Sequence, residues 1–188
     1  MNKSAGFTLI ELIITIAIAA IVLVLGVPSF QDTIRNNRLA TQANELISAL
    51  NLARSEAIKR GVTVSICKSA DGTTCGGSGW SNGWIVFVNR DNDSPATVDA
   101  GEEILRVYEP VPTNYSLNAN NNFTNYISYR PTGRSNNMGR FVLCAEGQLN
   151  YSRAIFINIT GRPRLGQDNN NNNIPEDNSG SDITSCTP

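Results

Sequence analysis

At 188 residues and 20.3 kDa the chain has room for one globular domain and a long appendage, but not for two full domains. It contains no histidine, which excludes histidine acid–base catalysis and His-ligated metal centres. With 40% hydrophobic residues, 16% charged residues and a net charge of -1, it is neither a uniformly basic nucleic-acid binder nor an acidic solvating protein.

The chain opens on a short polar leader, MNKSAG, which carries one positive charge at Lys3 and ends at Gly6. Residues 7–27 then read FTLIELIITIAIAAIVLVLGV, with Glu11 their single ionisable group. That run is long enough to cross a bilayer as a helix. It is too long for a cleaved signal peptide, and no small-residue cleavage site follows it closely. A carboxylate inside such a helix costs on the order of a few kcal/mol, so Glu11 calls for a partner or a function.

After Pro28 the pattern becomes amphipathic. Ala43, Leu46, Ile47, Leu50, Ala53, Ala57 and Ile58 recur at three- and four-residue steps, while Arg35, Arg38, Glu45, Arg54 and Lys59 fall mostly between them. Lys59 and Arg60 in the last turn, with Gly61 just beyond, mark the helix end. A helix over 7–60 spans about 80 Å.

From residue 62 the period changes to two. Residues 62–67, 84–89, 103–108, 126–130, 140–146 and 153–159 read as strands separated by Gly, Asn, Asp and Pro clusters. The connections are too short for crossover helices, so antiparallel pairing against the amphipathic helix is expected, which makes the chain α+β. Cys67, Cys75, Cys144 and Cys186 form no CxxC pair and have no histidine to complete a zinc site. Disulfides in an oxidising compartment are the expectation, with three connectivities open. Nearest-neighbour pairing would staple the 69–74 turn through Cys67 and Cys75, and would tie the tail to a strand through Cys144 and Cys186.

Charge is uneven along the chain. Residues 123–166 carry six arginines (Arg130, Arg134, Arg140, Arg153, Arg162 and Arg164) against one acid, Glu146. The tail from Gln167 carries four acids and no Lys or Arg. A near-neutral chain can therefore still present a local anion-binding surface.

The leader abutting G-F-T-L-I-E resembles the class III signal of type IV prepilins and type II secretion pseudopilins. The resemblance implies that a prepilin peptidase cuts between Gly6 and Phe7 and methylates the Phe7 amine. It also implies that Glu11 pairs with the Phe7 amine of a neighbouring subunit during assembly, and that the helix kinks at Pro28. Farther on, the Cys67 to Cys75 loop, GWIVFVNRDND, EEILRVY, ISYRPTGR, RFVLC and INITGRPR follow in an order that resembles the GspH/FimT group of minor pilins and pseudopilins across nearly the whole chain. Gly161-Arg162-Pro163-Arg164 matches the GRxR pattern of FimT-type minor pilins, which bind DNA in natural transformation.

These resemblances imply a pilin fold in five parts: a leader at 1–6, a transmembrane or filament-core helix at 7–27, an amphipathic half at 28–60, a β-rich head at 61–166, and an Asn-rich acidic tail at 167–188 tied by a disulfide. The implied location is the bacterial inner membrane with the head in the periplasm, then an extracellular pilus. The implied partners are double-stranded DNA, other minor and major pilins, and the peptidase. The alternative is a GspH-like structural pseudopilin of a type II secretion system without DNA affinity. No cofactor is implied, and the absence of GxSxG and SxxK motifs speaks against an enzyme.

Two arginines separated by one residue line the same face of an extended segment, and a turn at Gly161 and Pro163 is the other way for both forks to reach one DNA strand. Arg130, Arg134 and Arg153 are further candidates; the plainer alternative is a solvated turn. Few aromatics lie nearby, so binding would be to the phosphate backbone and strongly salt dependent. In the tail, Asp168, Asn170, Asn172 and Glu176 place oxygens at a spacing similar to calcium loops. Asn replaces Asp at 170 and 172, and Asn173 stands where such loops want glycine, so any calcium affinity would be weak. The other readings of the tail are an inert polar segment, or an acidic strap that competes for the arginines.

Overall fold

The computed structural model of the chain describes residues 6–188; residues 1–5 of the expected leader lie outside the described residues. The chain divides into two compact units, one ending at Asn37 and one running from Arg38 to Pro188.

In the first unit, helix α1 begins at Leu9 and continues unbroken through Pro28. Its N-terminal turn is capped by the Thr8 hydroxyl, which accepts from the Glu11 backbone N–H at 3.3 Å. An 18-residue window has mean hydropathy 2.9 and none of it is buried, so the helix is long and apolar enough to cross a membrane.

In the second unit α1 runs on to Arg60. Burial starts at Leu39 and continues through Ala43, Leu46, Ala49, Leu50, Ala53 and Ala57, in the expected three- and four-residue rhythm. Ile58, expected on that stripe, is exposed; its tip lies against Gly133 of the head instead.

Eight strands follow: β1 (Thr63–Lys68), β2 (Trp84–Asn89), β3 (Ile104–Tyr108), β4 (Tyr115–Ala119), β5 (Tyr126–Tyr129), β6 (Gly139–Ala145), β7 (Gln148–Ile157) and β8 (Pro163–Leu165). They form two four-stranded sheets, ordered β3-β2-β1-β5 and β4-β6-β7-β8, with antiparallel pairing throughout. The inner faces of both sheets, including Val64, Ile66, Trp84, Ile127, Phe141 and Ile155, share one core with the buried stripe of α1. Two bulky contacts fill it: Trp80 meets Phe141 edge-on at 4.9 Å, and Trp84 stacks on Tyr108 at 5.3 Å.

Three features depart from the periodicity. β4 was not expected, because Asn118 and the flanking asparagines read as loop; pairing with β6 from Tyr115 opposite Ala145 to Ala119 opposite Phe141 supplies what local propensity lacks. β7 starts at Gln148 rather than 153 and stops at Ile157 rather than 159. β8 takes in Pro163-Arg164, which the sequence leaves open between an extended segment and a turn. Proline is tolerated there because it is the first residue of an edge strand.

Disulfides join Cys67 to Cys75 and Cys144 to Cys186. The second brings the tail across the outer face of the β4-β6-β7-β8 sheet, where Ile174 and Ile183 cover Val142, Ala154 and Phe156. That sheet is therefore apolar on both faces, unlike a half-solvated antiparallel sheet.

Candidate functional site

β7 ends at Ile157, and residues 158–161 turn the chain back into β8. The Asn158 carbonyl accepts from the Gly161 N–H at 2.8 Å, and the Asn158 side-chain oxygen accepts from the Thr160 hydroxyl at 2.5 Å and the Arg162 N–H at 3.3 Å. Gly161 has φ +77, and a Cβ there would collide with the Gly133 carbonyl and lie 2.9 Å from the Tyr129 ring. Only glycine fits this contact.

Gly133 belongs to the 130–134 turn, in which the Arg130 N–H donates to the Arg134 carbonyl at 2.9 Å. Arg54 of α1 grips the same turn, its Nε donating to the Gly133 carbonyl at 2.9 Å. The Ser135 hydroxyl donates to the Asn158 carbonyl at 2.9 Å. These bonds lock the two arginine-bearing turns side by side. Arg130, Arg134 and Arg162 are all exposed on them, and among the described residues none of the three forms an ion pair.

Arg164 is placed differently. Register sets it opposite Phe156, which is itself opposite Arg140, so the two arginines flank one ring on the outer face of the sheet. The Arg164 guanidinium lies 5.3 Å over the Phe156 ring and donates to the Asn178 side-chain oxygen on the tail. Arg140 and Asn178 are members of this surface that sequence reasoning missed. The first is revealed only by strand register and the second only by the return of the tail.

The tip of the tail is a tight turn in which the Asp177 N–H donates to the Ser181 carbonyl at 2.7 Å. The Ser179 hydroxyl, then the backbone N–H groups of Ser179 and Ser181, and last the charge of Arg140 hold the Asp177 carboxyl below its usual range. A cavity of about 270 Å³ opens between Phe156, Asn158, Arg162, Arg164 and Asn178. Both arginines of the GRPR segment thus reach one space, on either side of the Pro163 strand start.

Other expected residues fall elsewhere. Arg153 pairs with Leu143 on the opposite face of β7 from Phe156, is half-buried, and donates to the Ser152 carbonyl at 2.7 Å. It does not join the exposed arginines. Glu176 is 6% exposed and accepts from Asn169, through the backbone N–H at 3.2 Å and the side-chain amide, rather than facing the other expected calcium ligands. Asp168 accepts from the backbone of Asn172 and Asn173, and the Asn170 and Asn172 amides donate to Asp182 at 3.1 and 2.5 Å. The loop carboxylates are thus committed to amide donors. Asp91, Asp93 and Asp99 bring their oxygens within 4.8 Å of one another in the loop after β2, but hydrogen bonds within that loop already engage them. Gly6, Phe7 and Glu11 are exposed at the start of the described chain.

Comparison with known proteins agrees with this architecture. The family model described as type II transport protein GspH matches residues 42–161, and the prokaryotic N-terminal methylation motif matches residues 1–27. Fimbrial protein Q of Moraxella bovis is 37% identical over 89 residues, 44% of this chain and 56% of that protein, so the chain spans about half the length of this curated relative. The type IV minor pilin FimU of Pseudomonas aeruginosa is similar in fold in two crystal forms at 20% identity. Its TM-scores are 0.56 and 0.54, over 80% and 79% of this chain and 96% and 99% of that one.

Proposed function

The chain belongs to the family of type II transport protein GspH and is a minor pilin or pseudopilin of a type IV pilus or type II secretion system, and on that premise we propose that it is the pilus form, a minor pilin that binds double-stranded DNA for uptake. The observation that carries this reading is the lock between Gly161 and Gly133. It gathers Arg130, Arg134 and Arg162 on neighbouring turns, free of acidic partners among the described residues, with Arg164 two residues on in β8.

Guanidinium groups present planar donor forks suited to phosphate, and the site offers no array of exposed aromatics for stacking bases. Binding is therefore to the backbone, indifferent to sequence, and weakened steeply by salt. Arg162 and Arg164 carry more of the affinity than the other arginines.

The methylation motif and the long apolar stretch of the helix suggest membrane anchoring before assembly, and the pilin family suggests association with other pilins. In this reading the peptidase cuts after Gly6, where any side chain would crowd a cleft fitted to bare backbone. Phe7 becomes the methylated terminus, and Glu11 meets the amine of the next subunit. Intact-mass measurement from the native host should lack residues 1–6; a mass that includes them removes the processing step.

DNA binding is tested by replacing Arg162 and Arg164 with alanine in the full chain, held in nonionic detergent. Affinity for a short duplex should fall, and the slope of log affinity against log salt should drop by about one unit for each phosphate that the variant leaves unneutralised. Unchanged affinity with unchanged circular dichroism returns the GRPR segment to a solvated turn, and no affinity for duplex in the unaltered chain leaves a structural pseudopilin.

A further inference from the structure

We propose that the cavity between Arg162, Arg164 and the tail is a seat for one backbone phosphate, and that Asn178 is the tail residue displaced when the phosphate enters. This inference rests on the DNA-binding reading and gives it a location and a gate.

The cavity wall holds two guanidinium groups, two side-chain amides and one ring, and no carboxylate. At about 270 Å³ it exceeds the roughly 30 Å³ share of a single water but stays below the roughly 300–1,000 Å³ of pockets for drug-sized ligands. A phosphate with part of its sugar fits that range. The ring of Phe156, 5% exposed, forms the floor and holds the Arg164 guanidinium flat above it. Of the five N–H donors of that group, one is spent, on the side-chain oxygen of Asn178. Arg162 enters from the other side with its backbone pinned to Asn158 and its guanidinium uncommitted among the described residues.

Asn178 presents a neutral acceptor where a phosphate oxygen would sit. The Arg164–Asn178 bond has one ionised partner, whereas a phosphate oxygen brings a second, opposite charge and can accept from the guanidinium fork in bidentate fashion, so phosphate displaces the amide oxygen rather than the reverse. The geometry of the tail permits this exchange. Asn178 stands at the tip of the 177–181 turn, while the tail stays anchored by Ile174, Ile183 and Cys186 against the sheet. The nearest tail acid, Asp177, is held by Ser179 and faces the charge of Arg140, outside the cavity wall. The strap therefore supplies a removable neutral plug.

The test titrates inorganic phosphate into the full chain in nonionic detergent and follows the arginine side-chain Nε–H signals by NMR. The Arg162 and Arg164 signals should move together on one saturating curve while that of Arg153 stays fixed. Asn178→Ala should lower the midpoint phosphate concentration about five-fold, the worth of one hydrogen bond, and should tighten binding of a short duplex in the same direction. Asn178→Asp, which fixes a carboxylate on Arg164, should raise the midpoint. Silent Arg162 and Arg164 signals, or an Asn178→Ala variant that binds phosphate more weakly, overturn the seat. Saturable phosphate binding without any affinity for duplex overturns the DNA reading alone, and duplex affinity with silent Arg162 and Arg164 signals overturns the seat alone.

Discussion

One helix carries two opposite surfaces. In its first unit, Leu12, Ile13, Ile14, Ile18, Val22 and Leu23 all stay largely exposed and fall on every side of the axis. In its second unit, Leu39, Leu46 and Leu50 are fully buried, and the buried alanines at 43, 49, 53 and 57 share one core with the two sheets. A helix that is apolar all round needs an apolar surrounding, whereas an apolar stripe needs only a fold. The difference teaches that the first stretch finds no cover within its own described chain, whereas the second is covered by the head.

The largest expected effect separates the two surfaces directly. Leu50→Ala should cost about 4 kcal/mol of head stability in chemical denaturation of the full chain in detergent, from reduced burial and the cavity left behind. Ile21→Ala should leave that transition in place. Equal losses would break the comparison. Overpacking sharpens it: Ala53→Leu should cost about 2 kcal/mol because the fully buried stripe has no room, while Ala19→Leu, on the exposed stretch, should be neutral by the same measurement.

The smallest effect is electrostatic. Arg60, at the end of α1, donates to Glu56 and to Glu103, each at 2.6 Å, and these bonds hold both carboxyls below their usual range. The Thr74 hydroxyl, followed by the Thr74 and Thr73 backbone, does the same for Asp71. Because their folded pKa values are depressed, their contribution is complete above the ordinary carboxylate range and is lost as pH falls through the folded values. The thermal midpoint of the head should therefore decline on acidification below about pH 4 and hold level from about pH 6 to 8. Glu103→Gln should flatten part of the decline; since the Glu103 carboxylate is half exposed and screened by water, the change is small.

Much of the fold is legible in residue order. Runs rich in β-branched and aromatic residues locate β1, β2, β3, β5 and β6 to within a residue or two, although β1 and β2 are buried on both faces rather than alternating. β4 and the start of β7 hide in polar stretches whose strand character comes from long-range partners. β8 hides because Pro163 reads as a break. The candidate site divides in the same way. The basic bias of residues 123–166 is local and visible. The pairing of Gly161 with Gly133, the face that separates Arg153 from Arg164, and the return of Asn178 depend on register and on neighbours distant in sequence.

The bond between Cys144 and Cys186 bears on how the head withstands proteolysis. It closes a ring of chain containing β7, the two GRPR arginines and the whole tail tip. A protease that nicks the exposed 177–181 turn would open this ring without releasing either end: residues up to the cut stay joined through β7, and those beyond it stay joined through Cys186. Such a molecule migrates as a single species on a non-reducing gel and loses a short fragment once reductant is added, so one cut at the tip does not shed the arginines it flanks.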